Sequence, residues 1–240
     1  MKRVLVINPN TSAHVTDMVL ASCRQAYPAV QWDGATGRLG AAYIASEAAY
    51  AIAAHAALDA YATHFAGHDA LLVACFGDPG LLALREIAAV PVVGLAQASF
   101  EAAATRGPFA VVTGGKAWEP MLERFARMHR LDAGLVGVYT VDMTGAQIAA
   151  APERALDELR RACERGVQAG AKSIVLGGAA LVGLAATLQP HVPVPLLDNV
   201  LLGAQAVVNA ALRPPAPPIT SVVARSPVTG LGAALTQLLG

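Results

Sequence analysis

The sequence predicts an α/β protein made of two similar parallel-sheet domains of the Rossmann-like or flavodoxin-like kind. Apolar runs that read as strands alternate with helical segments, and the plan of the first half of the chain recurs in the second. Continuous apolar strands alternating with helices are typical of parallel sheets covered on both faces. Strands are predicted at 4–7, 70–75, 91–94, 109–113, 134–140, 173–177 and 194–197. Helices are predicted near 14–27, 40–66, 79–88, 97–106, 117–130, 152–169, 180–189 and 199–212.

The internal repeat is clearest where two long segments align. DALLVACFGDPGLLALREIAAVPVVGL (69–95) and KSIVLGGAALVGLAATLQPHVPVPLLD (172–198) each read as strand, sharp turn, helix and strand. FAVVTGGKAW (109–118) likewise mirrors VLVINPNTSA (4–13). Ligands bind beyond the carboxyl ends of the strands in open α/β sheets. The turns after these four strands are therefore predicted to line one interdomain cleft.

The repeat also predicts the domain boundaries. The first domain is expected to comprise residues 1–97 together with 213–240, and the second to comprise 98–212. The proline-rich stretch RPPAPP (213–218) would connect the second domain to a last strand and helix within 220–239. That last pair is expected to return to the first domain.

Composition excludes several classes of protein. With 17 basic and 17 acidic residues among 240 and no cluster of positive charge, nothing indicates a nucleic-acid or anionic-membrane partner. Mean hydropathy is +0.49, but the longest uncharged candidate for a membrane span, 173–189, is better explained as strand, turn and helix. We therefore expect a soluble, cytoplasmic protein. Because only 14% of the residues are charged, a homo-oligomer is also expected.

Cys75 is the candidate catalytic residue. It ends an apolar strand, it is followed by the amides of Phe76 and Gly77, and Pro79 suits the first turn of a helix. A helix N-terminus would stabilise a thiolate, although a cysteine at a strand end is more often a small apolar core residue. Cys23 and Cys163 lie inside helical patterns, are predicted to be structural, and complete no metal or disulfide spacing.

Candidate substrate-binding groups follow the same strand ends. They are Asn8, Asn10, Phe76, Gly77, Thr113, Gly114, Gly178 and Ala179, with Tyr43, Ile44 and Val141 as suggested cleft walls. Each has a structural alternative, because glycines serve tight turns and asparagines cap their own turns. Asp78 and Asp198 are predicted to be helix N-caps. No nucleotide-binding or metal-binding motif occurs, so no cofactor and no metal are predicted.

Four stretches resemble the hydantoin racemases of the aspartate/glutamate/hydantoin racemase superfamily. They are INPNTS (7–12), ACFGDPG (74–80), VPVVGLAQAS (90–99) and LGGAALVGL (176–184). The resemblance implies two pseudo-symmetric domains and a cofactor-free site between them. In that site two cysteines flank an acidic carbon, one removing a proton and the other returning one to the opposite face. Cys75 matches the first cysteine, whereas Gly178 stands where the second is expected.

Three functions are consistent with this pattern. The first is a racemase or epimerase acting on a small carboxylate or cyclic amide through Cys75. The second is a decarboxylase of disubstituted malonates, similar to arylmalonate decarboxylase, in which one thiol suffices as the proton donor. The third is a catalytically degenerate protein that binds a small carboxylate. Both reactions pass through an enolate, which hydrogen-bond donors aimed at its oxygens would stabilise.

Overall fold

The computed structural model describes residues 1–143, 147, 152–213 and 227–239, which contain two four-stranded parallel sheets. The first sheet has the order β2-β1-β3-β4 and the second has the order β6-β5-β7-β8. The second sheet thus repeats the first, and the predicted fold class is confirmed. The strands are β1 (Arg3–Asn8), β2 (Gln31–Thr36), β3 (Ala70–Val73), β4 (Val92–Gly94), β5 (Phe109–Gly114), β6 (Leu135–Val141), β7 (Ser173–Gly177) and β8 (Leu196–Asp198).

Helices connect the strands and cover both sheets. They are α1 (Ala13–Ala26), α2 (Glu47–His64), α3 (Leu81–Ile87), α4 (Leu95–Ala104), α5 (Trp118–Met128), α6 (Pro152–Gln168), α7 (Leu184–Leu188), α8 (Asn199–Ala211) and α9 (Ala233–Leu239). Short 3-10 turns occur at Asp132–Gly134, Ala179–Leu181 and Gln189–His191. Among the described helices, none is long and apolar enough to cross a membrane.

Two elements in the first half of the chain differ from the prediction. The strand β2 was not predicted, because QWDGAT contains aspartate and glycine and pairs on one side only, as an edge strand. The helix predicted over 40–66 begins only at Glu47, where the Ser46 side chain accepts a hydrogen bond from the Ala49 amide. Residues 40–46 form an irregular segment instead, and this segment reaches the candidate site.

The main hydrophobic core lies between the two sheets and draws on both. Phe100 of α4 is fully buried, and its ring centroid lies 5.9 Å from that of Phe76 and 5.4 Å from that of Phe109. Two further clusters cover the outer faces of the sheets.

The helices α4 and α8 pack on each other and cross between the halves. Although α4 follows β4, it contacts β7 and β8, and α8 follows β8 but contacts β3, β4 and α1. The boundaries at 97/98 and 212/213 stay a prediction, since this helix pair packs against both sheets.

The C-terminal helix α9 packs on α2, in the first half. Its Leu235 is buried, and Leu238 contacts the outer cluster of the first sheet. The strand predicted at the start of 220–239 lies outside the described residues.

Candidate active site

A cavity of about 440 Å³ opens at the carboxyl ends of both sheets. This volume suits one small organic molecule. The cavity is lined by residues that follow five different strands, from both halves of the chain. They are Asn10, Ser12, His14, Val15, Met18, Ala42, Tyr43, Ile44, Ala74, Cys75, Phe76, Thr113, Gly114, Trp118, Gly177, Gly178, Ala179, Ala180, Leu181, Val182 and Leu184.

The structure brings most of the predicted site residues to this cavity. Those that line it are Asn10, Cys75, Phe76, Thr113, Gly114, Gly178 and Ala179, together with the suggested wall residues Tyr43 and Ile44. Asn8, Gly77 and Val141 do not line it. Val141 is buried in the outer cluster of the second sheet instead.

Asn8 holds the turn after β1 and does not reach the cavity. It is fully buried, and its Nδ2 donates to Asn10 Oδ1 at 2.9 Å, to the Ser12 carbonyl at 3.0 Å and to Thr16 Oγ1 at 3.0 Å. Asn10 Oδ1 also accepts from the Ser12 amide at 2.8 Å. Because its oxygen is held by the turn, Asn10 has its amide NH₂ left to donate to a ligand in the cavity.

Gly77 is a packing residue. Its φ is +122°, a conformation that side chains rarely adopt. A Cβ at this position would lie 2.6 Å from the Trp118 ring, and the Gly77 carbonyl accepts a hydrogen bond from the Tyr50 hydroxyl at 2.7 Å. The glycine therefore permits close approach of α5 to this turn and leaves its backbone away from the cavity.

Cys75 is held as a neutral thiol. Only 8% of the residue is exposed, and this burial is the main reason why the pKa of the thiol is raised. The negative charge of the Asp78 carboxylate raises it further. The expectation of a stabilised thiolate is therefore wrong. The physical reason is that α3 begins only at Leu81, so Pro79 precedes the helix and the N-terminus of α3 does not directly follow Cys75. A protonated, buried thiol at the cavity is suited to donating a proton.

Asp78 caps a different helix from the one predicted. Its backbone has a positive φ of 56°, and its carboxylate accepts from the amides of Ala96 and Gln97, both at 2.8 Å, in the first turn of α4. Burial raises the pKa of this carboxyl to about 7, although the two amides act in the opposite direction. Asp198, in contrast, caps the helix that directly follows it, as predicted, because it accepts from the Val200 amide at 2.9 Å.

The turn at Gly178 is fixed by Asn199, which the sequence reasoning missed. Asn199 is fully buried, and its Nδ2 donates to the carbonyls of Leu176 at 2.7 Å and Gly178 at 3.1 Å. A trans peptide points its N–H away from its C=O, so the amide of Ala179 points away from Asn199. Within the ranges that the structure describes, that amide has no protein acceptor. An asparagine directly after the predicted N-cap Asp198 was the available signal in the sequence.

Glycine at position 178 leaves space where a side chain would project. Its φ is +129°, and a Cβ there would lie 3.5 Å from Leu181 Cγ and 3.8 Å from Thr113 Oγ1. The neighbouring Gly177 has a different role, because a Cβ at that position would collide with the Phe76 ring. This half of the cavity therefore offers backbone amides and the Thr113 hydroxyl, which has no partner among the described residues.

The cavity carries few ionisable groups. Of the lining residues that the structure describes, none is Asp, Glu, Lys or Arg. The ionisable ones are Cys75, Tyr43 and His14, and the last was not predicted to belong to the site. No group of metal-ligating residues occurs in the described parts of the chain. The site can therefore move protons and donate hydrogen bonds, but the described lining offers no fixed charge to a ligand.

The site geometry agrees with a match to a family model. The model described as Asp/Glu/Hydantoin racemase matches residues 4–207, which include all of both sheets except Arg3 and the whole described lining of the cavity. The chain belongs to the Asp/Glu/hydantoin racemase family. Membership places it among enzymes of the racemase and isomerase class.

Similar proteins of this family extend over much of the chain. A hydantoin racemase from Paenarthrobacter aurescens is 31% identical over 82% of this chain and 86% of its own length. Another from Pseudomonas sp. (strain NS671) is 34% identical, but the match spans 57% of this chain and 56% of that relative. Among solved structures, an allantoin racemase from Klebsiella pneumoniae has a TM-score of 0.82, with 29% identity over 87% of each chain. A mutant of arylmalonate decarboxylase shares the fold alone, with a TM-score of 0.62 and 16% identity over 87% of this chain and 93% of that one.

Proposed function

We propose that the chain is a cofactor-independent racemase or epimerase of the hydantoin racemase type, which forms and protonates an enolate through the Cys75 thiol. The observation that carries the proposal is the position of that thiol. It lines the cavity at the carboxyl ends of the two sheets, which is also bordered by unpaired hydrogen-bond donors. An acidic carbon held beside the sulfur can exchange its proton there without a metal or a cofactor.

The stabilisation of the enolate is assigned to groups that the fold holds in place. They are the Ala179 amide, the Thr113 hydroxyl and the Asn10 amide NH₂. Asn199 fixes the first of these by holding the Gly178 carbonyl. Preorganised donors in a site that excludes water stabilise developing negative charge on oxygen strongly, because they need no reorganisation during the reaction.

An uncharged cyclic amide is the proposed substrate class. The described lining offers no charged side chain to an amino-acid zwitterion, and a buried charge without a partner is costly. Apolar side chains of Val15, Met18, Val182 and Leu184 form one part of the wall and favour an apolar substituent. Similar proteins named hydantoin and allantoin racemases support the same class.

Decarboxylation of a disubstituted malonate is the second candidate. The observation that favours it is Gly178, which offers no acid or base on its side of the cavity. Loss of carbon dioxide leaves an enolate that needs only one proton, and the buried Cys75 thiol is already the proton-donating form. Binding of a carboxylate without turnover is the third outcome that an experiment must recognise.

The test combines substrates and a variant. Each enantiomer of 5-isopropylhydantoin, and separately a methyl-arylmalonate, is incubated in D₂O with wild type, Cys75→Ser and the control Cys23→Ala. We expect wild type and the control to exchange the C5 proton of the hydantoin, measured by NMR, and Cys75→Ser to be about 10²–10⁴-fold slower. Turnover of the malonate alone would establish the decarboxylase. A Cys75→Ser rate equal to that of wild type would refute the role of the thiol, and a thermal shift without turnover would indicate a binding protein.

A further inference from the structure

The side of the cavity around Gly178 has no proton-transferring group of its own. Inversion at a carbon nevertheless needs a proton-transferring group on each face of that carbon. Among the described residues that line the cavity, the ionisable side chains besides Cys75 are Tyr43 and His14. The Tyr43 hydroxyl donates to the Gly114 carbonyl at 3.0 Å, and burial raises its pKa. His14 is the remaining candidate, and histidine is the side chain that most often serves as a general acid or base.

The position of His14 fits such a role. It is the second residue of α1, whose N-cap is Ser12, and α1 contacts the Ala179–Leu181 turn that directly follows Gly178. His14 borders the cavity from that helix and is exposed to solvent. Its ring has no hydrogen-bond partner in the part of the chain that the structure describes, so both ring nitrogens are free to meet a ligand. A cavity of about 440 Å³ holds one small molecule, which places the thiol and the imidazole against the same ligand.

We propose that His14 is the second acid/base of the site and replaces the side chain that Gly178 lacks. The inference rests on the proposed racemase function and deepens it, because it assigns the group on the second face. His14 then acts from the first half of the chain, and the backbone around Gly178 only binds the enolate oxygen.

The proton balance of the cycle is closed. With one enantiomer, neutral His14 takes the α-proton, the enolate forms, and the Cys75 thiol gives its proton to the opposite face. The site is left with a thiolate and an imidazolium. These are the groups that the other enantiomer requires, because the thiolate then removes its α-proton and the imidazolium returns one. No oxidant, reductant or metal takes part.

The experiment separates inversion from exchange. Each enantiomer of 5-isopropylhydantoin is incubated in D₂O with wild type, His14→Gln and the control His64→Gln, an exposed histidine of α2 that does not line the cavity. Chiral chromatography measures inversion and NMR measures deuterium at C5. We expect His14→Gln to lose inversion by about 10²–10⁴-fold, with any remaining exchange confined to the enantiomer whose proton faces Cys75. The control should match wild type.

A second variant guards against an indirect effect. In His14→Ala, added imidazole should restore inversion in proportion to its concentration, because His14 is exposed and imidazole can reach the space that its ring leaves beside the cavity. A merely structural role of His14 would not respond to imidazole.

The possible outcomes distinguish this inference from the proposed function. If wild type exchanges one enantiomer without inverting it, Cys75 is a one-sided catalyst and the role of His14 is overturned, while the thiol-centred function stands. If wild type inverts and His14→Gln inverts equally fast, another residue is the second base. If wild type neither exchanges nor inverts the hydantoin, the proposed racemase function fails, and the inference fails with it.

Discussion

At the scale of single residues, two buried acidic groups determine how the candidate site is charged. Cys75 and Asp78 lie three positions apart, and the carboxylate of one raises the pKa of the thiol of the other. The Asp78 carboxyl is only 3% exposed, and its own pKa is raised to about 7 by burial. A negative charge on both is therefore disfavoured, which keeps Cys75 as a proton donor.

The raised pKa of Asp78 predicts how stability changes with pH. Its folded-state value of about 7 lies above the ordinary 3.8, so the folded protein keeps a proton that the unfolded chain loses. The contribution of this group to the free energy of unfolding is therefore largest below about pH 4 and falls as pH rises towards 7. Asp78→Asn should lack this fall, and asparagine tolerates the positive φ of 56°. Urea unfolding at pH 4.5 and pH 7.5 measures the difference.

The control for this experiment is Asp17→Asn, which changes an exposed carboxyl on α1. It should keep the same change with pH as wild type. Equal pH dependence in wild type and Asp78→Asn would show that the carboxyl is ionised in the folded protein throughout this range.

The sequence predicted where Cys75 lies but not which protonation state its surroundings favour, and this difference has a physical cause. Position at the end of an apolar strand is visible in the residue order. The start of α3 at Leu81, five residues after the first turn residue Phe76, is not visible, because it depends on the positive φ values of Asp78 and Gly80. Because α3 does not start directly after Cys75, burial is the largest influence on the pKa of the thiol.

At the scale of elements, the loops after the strands were harder to predict than the strands. The repeat located β3 and β7 and the turns after them, because apolar runs and glycines mark both. The segment 40–46 was predicted to be helical, since alanine continues on both sides of Ser46. The helix starts only at Glu47 because the Ala49 amide donates a capping hydrogen bond to the Ser46 side chain. Tyr43 also holds the preceding segment by its hydrogen bond to the Gly114 carbonyl in the second half of the chain.

The turn at Gly178 gives the prediction that belongs to this scale. A non-glycine residue at φ +129° costs about 1–3 kcal/mol, although a Cβ has room beside Leu181 and Thr113. Gly178→Ala and Gly178→Cys should therefore be destabilised by similar amounts, measured by urea unfolding. Only Gly178→Cys supplies a thiol on that side, so only it should raise inversion of the hydantoin above the wild-type rate. Equal inversion in the two variants would show that position 178 does not face the reacting carbon.

At the scale of the whole molecule, contacts between the two halves of the chain hold one wall of the cavity in place. The Trp118 ring nitrogen donates to the Ile44 carbonyl at 3.0 Å, and Arg124 forms an ion pair with Glu47. Tyr43 donates to the Gly114 carbonyl on the same side. The segment 40–46 leaves the first sheet and is fastened to α5 and the end of β5. It thereby becomes a wall that belongs to both halves.

The contacts between the two halves of the chain explain which features of the whole fold the sequence could predict. Two sheets and a cleft at their carboxyl ends follow from the repeat, because like segments fold alike and parallel strands share one edge for their ends. The exchange of α4 and α8 across the core depends on which apolar faces meet. Such pairings between distant segments leave no periodic signal in a single sequence. The membership of His14 and Asn199 in the site escaped prediction for the same reason.

The hydrogen bond between Tyr43 and Gly114 predicts how strongly the closure of this wall affects binding. Tyr43→Phe removes one hydroxyl and keeps the ring that lines the cavity. A single hydrogen bond contributes about 0.5–1.5 kcal/mol, so KM for a substrate should rise about 2–10-fold while kcat changes little, because the Cys75 thiol itself is unchanged. The control Tyr61→Phe alters a buried tyrosine on the outer face of the first sheet and should leave KM unchanged. If Tyr43→Phe lowers the free energy of unfolding but leaves KM at the wild-type value, the bond fastens the two halves without shaping the cavity. A rise in KM with unchanged stability would instead show that the segment 40–46 moves independently of the fold around it and that the hydroxyl serves substrate binding alone.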